Sequence, residues 1–146
     1  MPFRVLHYAE PALDVVEVTG FVHWGVIAAG LRALYLRPDW APGTPVLWDV
    51  TGITNVDVPP TDLSDIGATF AEVAAAREGG RTAVLVGPKA EQELWVLFPH
   101  LGPPSTRRVV VTQRRAEALA FLGLGAMPEG GVVVGASSVG AGRAAR

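Results

Sequence analysis

Phe3-Arg4-Val5-Leu6-His7-Tyr8 alternates apolar and polar side chains, the period-two pattern of a half-exposed strand. Glu10-Pro11-Ala12 breaks the pattern, and Leu13-Asp14-Val15-Val16-Glu17-Val18-Thr19 predicts a second strand closed by Gly20. So short a link predicts a hairpin, with the first strand antiparallel at an edge of the sheet. From Val22 to Leu36 the period changes: Trp24, Ile27, Ala28, Leu31, Leu34 and Tyr35 recur at helical steps, and Pro38 ends the run. The loop Arg37-Pro38-Asp39-Trp40-Ala41-Pro42-Gly43 is built of turn formers, and Trp40 is expected to lie over the core as a lid.

Val46 to Val50, apolar except at Asp49, predicts a strand buried inside a parallel sheet. Pro59-Pro60-Thr61-Asp62 marks a helix start with Thr61 or Asp62 as N-cap. Leu63, Ile66, Phe70, Val73 and Ala74 form its expected inner stripe, and Gly79-Gly80 its end. Thr82 to Gly87 is a further buried strand, and Pro88 opens a helix using Ala90, Leu94, Leu97, Phe98 and Leu101. Arg107 to Thr112 predicts a fifth strand. Gln113 to Leu122 predicts a last helix with Ala116, Leu119 and Ala120 inward. Beyond Gly123 the chain turns to Gly, Ala and Ser, so residues 124–146 are expected to form a flexible tail. Its β-branched island Val132-Val133-Val134 can add a short strand near 131–135.

The order β-β-α-β-α-β-α-β-α predicts a single α/β domain over residues 1–123. Its sheet is five-stranded and mostly parallel, with an antiparallel N-terminal edge strand and right-handed crossovers. If consecutive strands are also neighbours, the helices lie mainly on one face. The other face, with Val84, Val86, Val109 and Val111, then needs a cover: the tail, a loop or a second copy of the chain. A homodimer is expected on that ground.

Bulk properties remove several function classes. A chain of 146 residues, 49% hydrophobic and 18% charged, is the size of one compact domain. A formal charge of −2 supplies no attraction toward nucleic acid. Without cysteine there is neither disulfide nor thiol chemistry. The first residues lack the pattern of a signal peptide, and no apolar run reaches the roughly 18 residues that span a bilayer. A soluble cytoplasmic protein, not an integral membrane protein, is expected.

Asp49-Val50-Thr51-Gly52-Ile53-Thr54-Asn55-Val56-Asp57 resembles the strand and turn of the STAS/SpoIIAA-like superfamily, the fold of bacterial anti-sigma-factor antagonists. That motif reads Asp, aliphatic, Ser/Thr, Gly, Val, two variable residues, aliphatic, Asp. The second half, from Arg81-Thr82-Ala83-Val84-Leu85-Val86 to Ala118-Leu119-Ala120-Phe121-Leu122-Gly123, is similar to the uncharacterised STAS/SEC14-type branch. The resemblance covers about four-fifths of the chain. It implies a regulatory domain binding a protein partner through the turn and the helix after it. Asp57, Val58, Thr61, Asp62 and Asp65 are the candidate partner-binding residues of that turn and helix. The antagonists carry a phosphorylatable serine after the second aspartate; here Val58 and Pro59 stand there, without a hydroxyl. The switch does not carry over, and Thr61 and Ser64 are the nearest alternatives.

The remaining chemistry is sparse. Asp49, Asp57, Asp62 and Asp65 gather near one strand end, but not at the spacing of an ion-binding loop, so no metal or cofactor is expected. His7, His23 and His100 lie on different elements, and no serine sits in a nucleophile elbow. Gly87-Pro88-Lys89 lacks the glycines of a phosphate loop, and Arg107, Arg108, Arg114 and Arg115 lack interleaved aromatics. Two functions follow: a non-catalytic interaction domain, or a carrier of an apolar, lipid-like ligand. The carrier would bind between sheet and helices among Trp24, Trp48, Phe70, Trp95 and Phe98.

Overall fold

The computed structural model describes residues 2–89 and 108–137. Six strands form one mixed sheet: β1 (Phe3–Ala9), β2 (Ala12–His23), β3 (Val46–Asp57), β4 (Thr82–Leu85), β5 (Val109–Thr112) and β6 (Val132–Ala136). Three α-helices accompany them among the described residues: α1 (Trp24–Tyr35), α2 (Leu63–Arg77) and α3 (Arg115–Phe121). The order across the sheet is β5-β4-β3-β2-β1-β6. β2 to β5 pair in parallel, whereas β1 is antiparallel to both its neighbours.

The hairpin β1–β2 turns at Glu10-Pro11, joined by a cis peptide bond. β1 is not the edge strand expected from its alternating pattern. The valine island forms β6 and pairs along it, so the polar positions of β1 are flanked by strand on both sides. The expected helix over residues 90–101 and the tail from 138 onward lie outside the described residues.

The two faces of the sheet have separate cores. On one, Val5, Val16, Val18, Trp48 and Val84 meet α1 through Trp24, Ile27, Leu31 and Leu34, and α2 through Ile66, Phe70 and Val73. Every position of the predicted α1 stripe is buried. Along α2, Leu63 and Ala74 are exposed and Thr69 is buried in the stripe instead. On the opposite face, Leu6, Leu13, Val15, Leu47, Ala83 and Leu85 are covered by Ala118, Leu119 and Leu122. The inward phase of α3 is therefore 118, 119 and 122, while Ala116 and Ala120 are exposed.

This corrects the expected open face. Val84, Val86 and Val111 point toward α1 and α2, not away from them. The alternate positions Ala83 and Leu85 take the other face, and α3 returns across it. The argument for a dimer from an uncovered face is lost. Trp40 does lie over the core: its ring meets Tyr35 edge-on at 5.0 Å, and Nε1–H donates to the Ala76 carbonyl at 3.1 Å.

Candidate functional site

The longest departure from the expected elements is at the C-terminal halves of β2 and β3. Gly20 does not close β2. It adopts φ +78, which a residue with a Cβ rarely tolerates, and the strand runs on to His23. β3 likewise continues through the anticipated turn to Asp57. The two extensions pair with each other from Thr19↔Gly52 to His23↔Asp57, with register shifts on either side of Thr19–Gly20. β1 stops pairing at Val18 and β4 at Asp49, so among the described residues this ribbon projects alone. One side packs inward through Val22, Ile53 and Val56; Phe21, Thr51, Gly52, Thr54, Asn55 and Asp57 are exposed.

His23 closes the ribbon and starts α1. Its Nδ1 accepts the Gly25 amide proton at 3.1 Å, the work of an N-cap. After β3, Val58 packs against the core and Pro60–Asp62 form a single 3₁₀ turn leading into α2. Thr61 is exposed there. Asp62 holds the N-cap position without a side-chain capping bond, and Asp65 lies in the first turn, where the helix dipole favours a negative charge. Asp57, Asp62 and Asp65 form no ion pair with any described residue. The predicted partner-binding positions thus share one end of the molecule. Asp49 does not join them: it lies on the α3 face, in register with Glu17 and Leu85.

Asp49 belongs to a surface cavity of about 440 Å³ lined by Arg4, Glu17, Val18, Thr19, Asp49, Thr51 and Gly52. Gly52 keeps β2 and β3 close here, since a Cβ would stand 2.8 Å from the Thr19 methyl. Arg4 pairs with Glu17. Asp49 Oδ1 accepts from the Thr51 hydroxyl at 2.6 Å and amide at 3.1 Å, and Oδ2 accepts from Arg115 at 3.0 Å. Burial works to raise the Asp49 pKa, but the Thr51 and Arg115 bonds outweigh it and hold the carboxyl below its usual range. General acid–base work needs a group poised near neutral pH. Asp49 is instead an anion held by three hydrogen bonds, an arrangement that orients and binds.

Of the five residues expected to line an apolar pocket, the three that are described belong to the core. Trp24, Trp48 and Phe70 are buried, with Trp24 and Phe70 rings 6.3 Å apart and Gly30 leaving room for the Trp48 ring. Trp95, Phe98 and His100 lie outside the described residues. Among the described residues no three His, Asp or Glu side chains converge as metal ligands, and no helix is long and apolar enough to cross a membrane. No protein-family model matches the chain, and no curated protein matches it.

A second polar set was not anticipated. Asp14, fully buried on β2, accepts from Arg37 Nη2 at 2.9 Å and lies 2.6 Å from His7 Nδ1. Arg37 Nε donates to Asp39 at 2.9 Å, while Nη1 is buried without a hydrogen-bond partner. The available signal was an aspartate between Leu13 and Val15 in the strand Leu13–Val18, which has to find a counter-charge once that strand is central.

Proposed function

We propose that the protein is a non-catalytic regulatory or protein-interaction domain of STAS-like type that lacks the phosphoacceptor hydroxyl. Its partner surface is the β2–β3 ribbon together with the start of α2. The observation that supports this reading is the projecting ribbon itself. It carries an exposed Phe21 (53%), with Leu63 (46%) exposed at the same end of the sheet and Asp57, Asp62 and Asp65 beside it. Exposed apolar side chains and carboxylates at one end of the molecule suit a protein partner that offers both apolar contacts and Lys or Arg. The Asp49 set beneath it fixes the base of the ribbon and has no proton-transfer role in this reading.

The test is capture of partners from lysate by the wild-type chain and by Phe21→Ser, Leu63→Glu and Asp57→Lys variants, with Ala120→Glu on α3 as control. Each change is at an exposed position and is expected to alter stability by less than about 0.5 kcal/mol. Loss of one captured protein in the Phe21, Leu63 and Asp57 variants, and its retention by the control, is the expected result. Capture indifferent to all three changes would remove the proposal.

A further inference from the structure

We propose that the outer edge of β6 is where a second copy of this chain docks, strand against strand, joining two sheets into one. This does not rest on the ribbon surface, which lies elsewhere. The inner edge of β6 pairs with β1, and among the described residues nothing pairs with its outer edge. Three consecutive side chains of β6, flanking this edge on both faces of the sheet, are exposed: Val132 at 61%, Val133 at 51% and Val134 at 36%. The other exposed large apolar residues, Phe21, Leu36 and Leu63, are isolated in sequence.

An uncovered sheet edge exposes a row of amide and carbonyl groups, and folded proteins usually guard it with charge or proline. From Gly130 to Ser137 there is neither. A bulge between the Val5 and Leu6 pairings is the only irregularity. The opposite edge differs. β5 is followed by the exposed Arg114 and Arg115 and preceded by Arg108. Antiparallel self-pairing of β5 would crowd these like charges together, whereas self-pairing of β6 opposes only valine, glycine and alanine. Charge therefore selects β6 over β5 and allows the partner to be β6 itself. A two-fold contact of this kind uses the same patch on both copies and closes at two. The apolar surface continues onto α1. A Cβ on Gly135 would stand 3.5 Å from the Ala33 methyl, and Leu36, one turn further on that face, is exposed.

Sedimentation of the full chain at micromolar concentration reads the state directly. The expected mass is twice 15.3 kDa, and Val133→Lys is expected to halve it with the circular dichroism spectrum unchanged. Because the chain has no cysteine, Val134→Cys supplies a second readout that needs no loss of stability. Mild oxidation should yield a covalent dimer, with Thr54→Cys on the ribbon as the negative control. A wild-type monomer overturns the proposal, including one whose β6 amides are protected from exchange because residues 138–146 cover the edge. A dimer that survives Val133→Lys and does not cross-link through Val134→Cys overturns it equally, as does an open-ended series of larger species.

Discussion

Asp14 and Asp49 lie on neighbouring strands and each accepts a hydrogen bond from an arginine close to 3 Å away, yet they occupy opposite environments. Asp14 shares the α1 and α2 face with Val16 and Val18, and the loop after α1 closes over it. Its carboxylate is 0% exposed and the Arg37 side chain only 8%. Asp49 shares the other face with Leu47, at the first turn of α3; its side chain is 14% exposed and that of its partner Arg115 48%. The same pair of charges is a structural obligation in one place and a local ordering device in the other. Depth decides, because water screens and replaces the second partner but cannot reach the first.

The largest expected effect is at the buried set. Asp14→Ala leaves the Arg37 guanidinium buried with Asp39 as its remaining anion, and Arg37→Ala leaves Asp14 with His7 alone. Either change is expected to cost about 3–5 kcal/mol in urea unfolding. The paired change Asp14→Leu with Arg37→Met should cost less than either single one, since burying two charges is itself expensive and apolar groups of similar volume avoid that cost. A double variant as damaged as the singles would show that the loop depends on the charges for its geometry as well as its stability.

The second effect is smaller and depends on pH. Asp49→Asn keeps the side-chain shape but removes the anion that Thr51 and Arg115 hold. At neutral pH it is expected to cost about 1–2 kcal/mol, the range of a few charge-assisted bonds at a partly wet site. The folded-state pKa of Asp49 is lowered, so its contribution is present above the ordinary carboxylate range and lost as pH falls through the folded value. Wild type and Asp49→Asn should therefore differ at pH 7 and converge in acid. A gap that persists at the lowest pH would place the effect in packing instead of charge.

The same contrast of depth explains what could be foreseen. The core stripe of α1 was legible because six apolar positions at helical spacing leave one solution. The lid role of Trp40 followed from its size. The length of β3 was not legible, because Thr51-Gly52-Ile53-Thr54-Asn55 has turn composition and is strand only because β2 runs beside it through Gly20. The faces of β4 and β5 were inverted for a related reason. A run such as Val84-Leu85-Val86 is apolar on both sides, and only the return of α3 decides which side it covers. Within the candidate site, Asp57, Thr61, Asp62 and Asp65 could be grouped from spacing along one strand and helix start. The Asp49–Arg115 contact could not, since its partners are 66 residues apart.

The smallest expected effect is the sharpest check on the comparison. Arg115→Ala removes the outer partner of Asp49 but leaves both Thr51 bonds, and the arginine is half in water. The cost is expected below about 1 kcal/mol and should shrink further in high salt, where exposed charges are screened. The lowered Asp49 pKa should rise toward the ordinary carboxylate value, because burial already works to raise it and the Thr51 hydroxyl and amide alone are left to oppose that. Carboxyl chemical shifts followed through an acid titration would read this directly. If Arg115→Ala instead cost as much as Arg37→Ala, exposure would not be what separates the two arginines. The base of the ribbon would then be as tightly held as the buried end of the sheet.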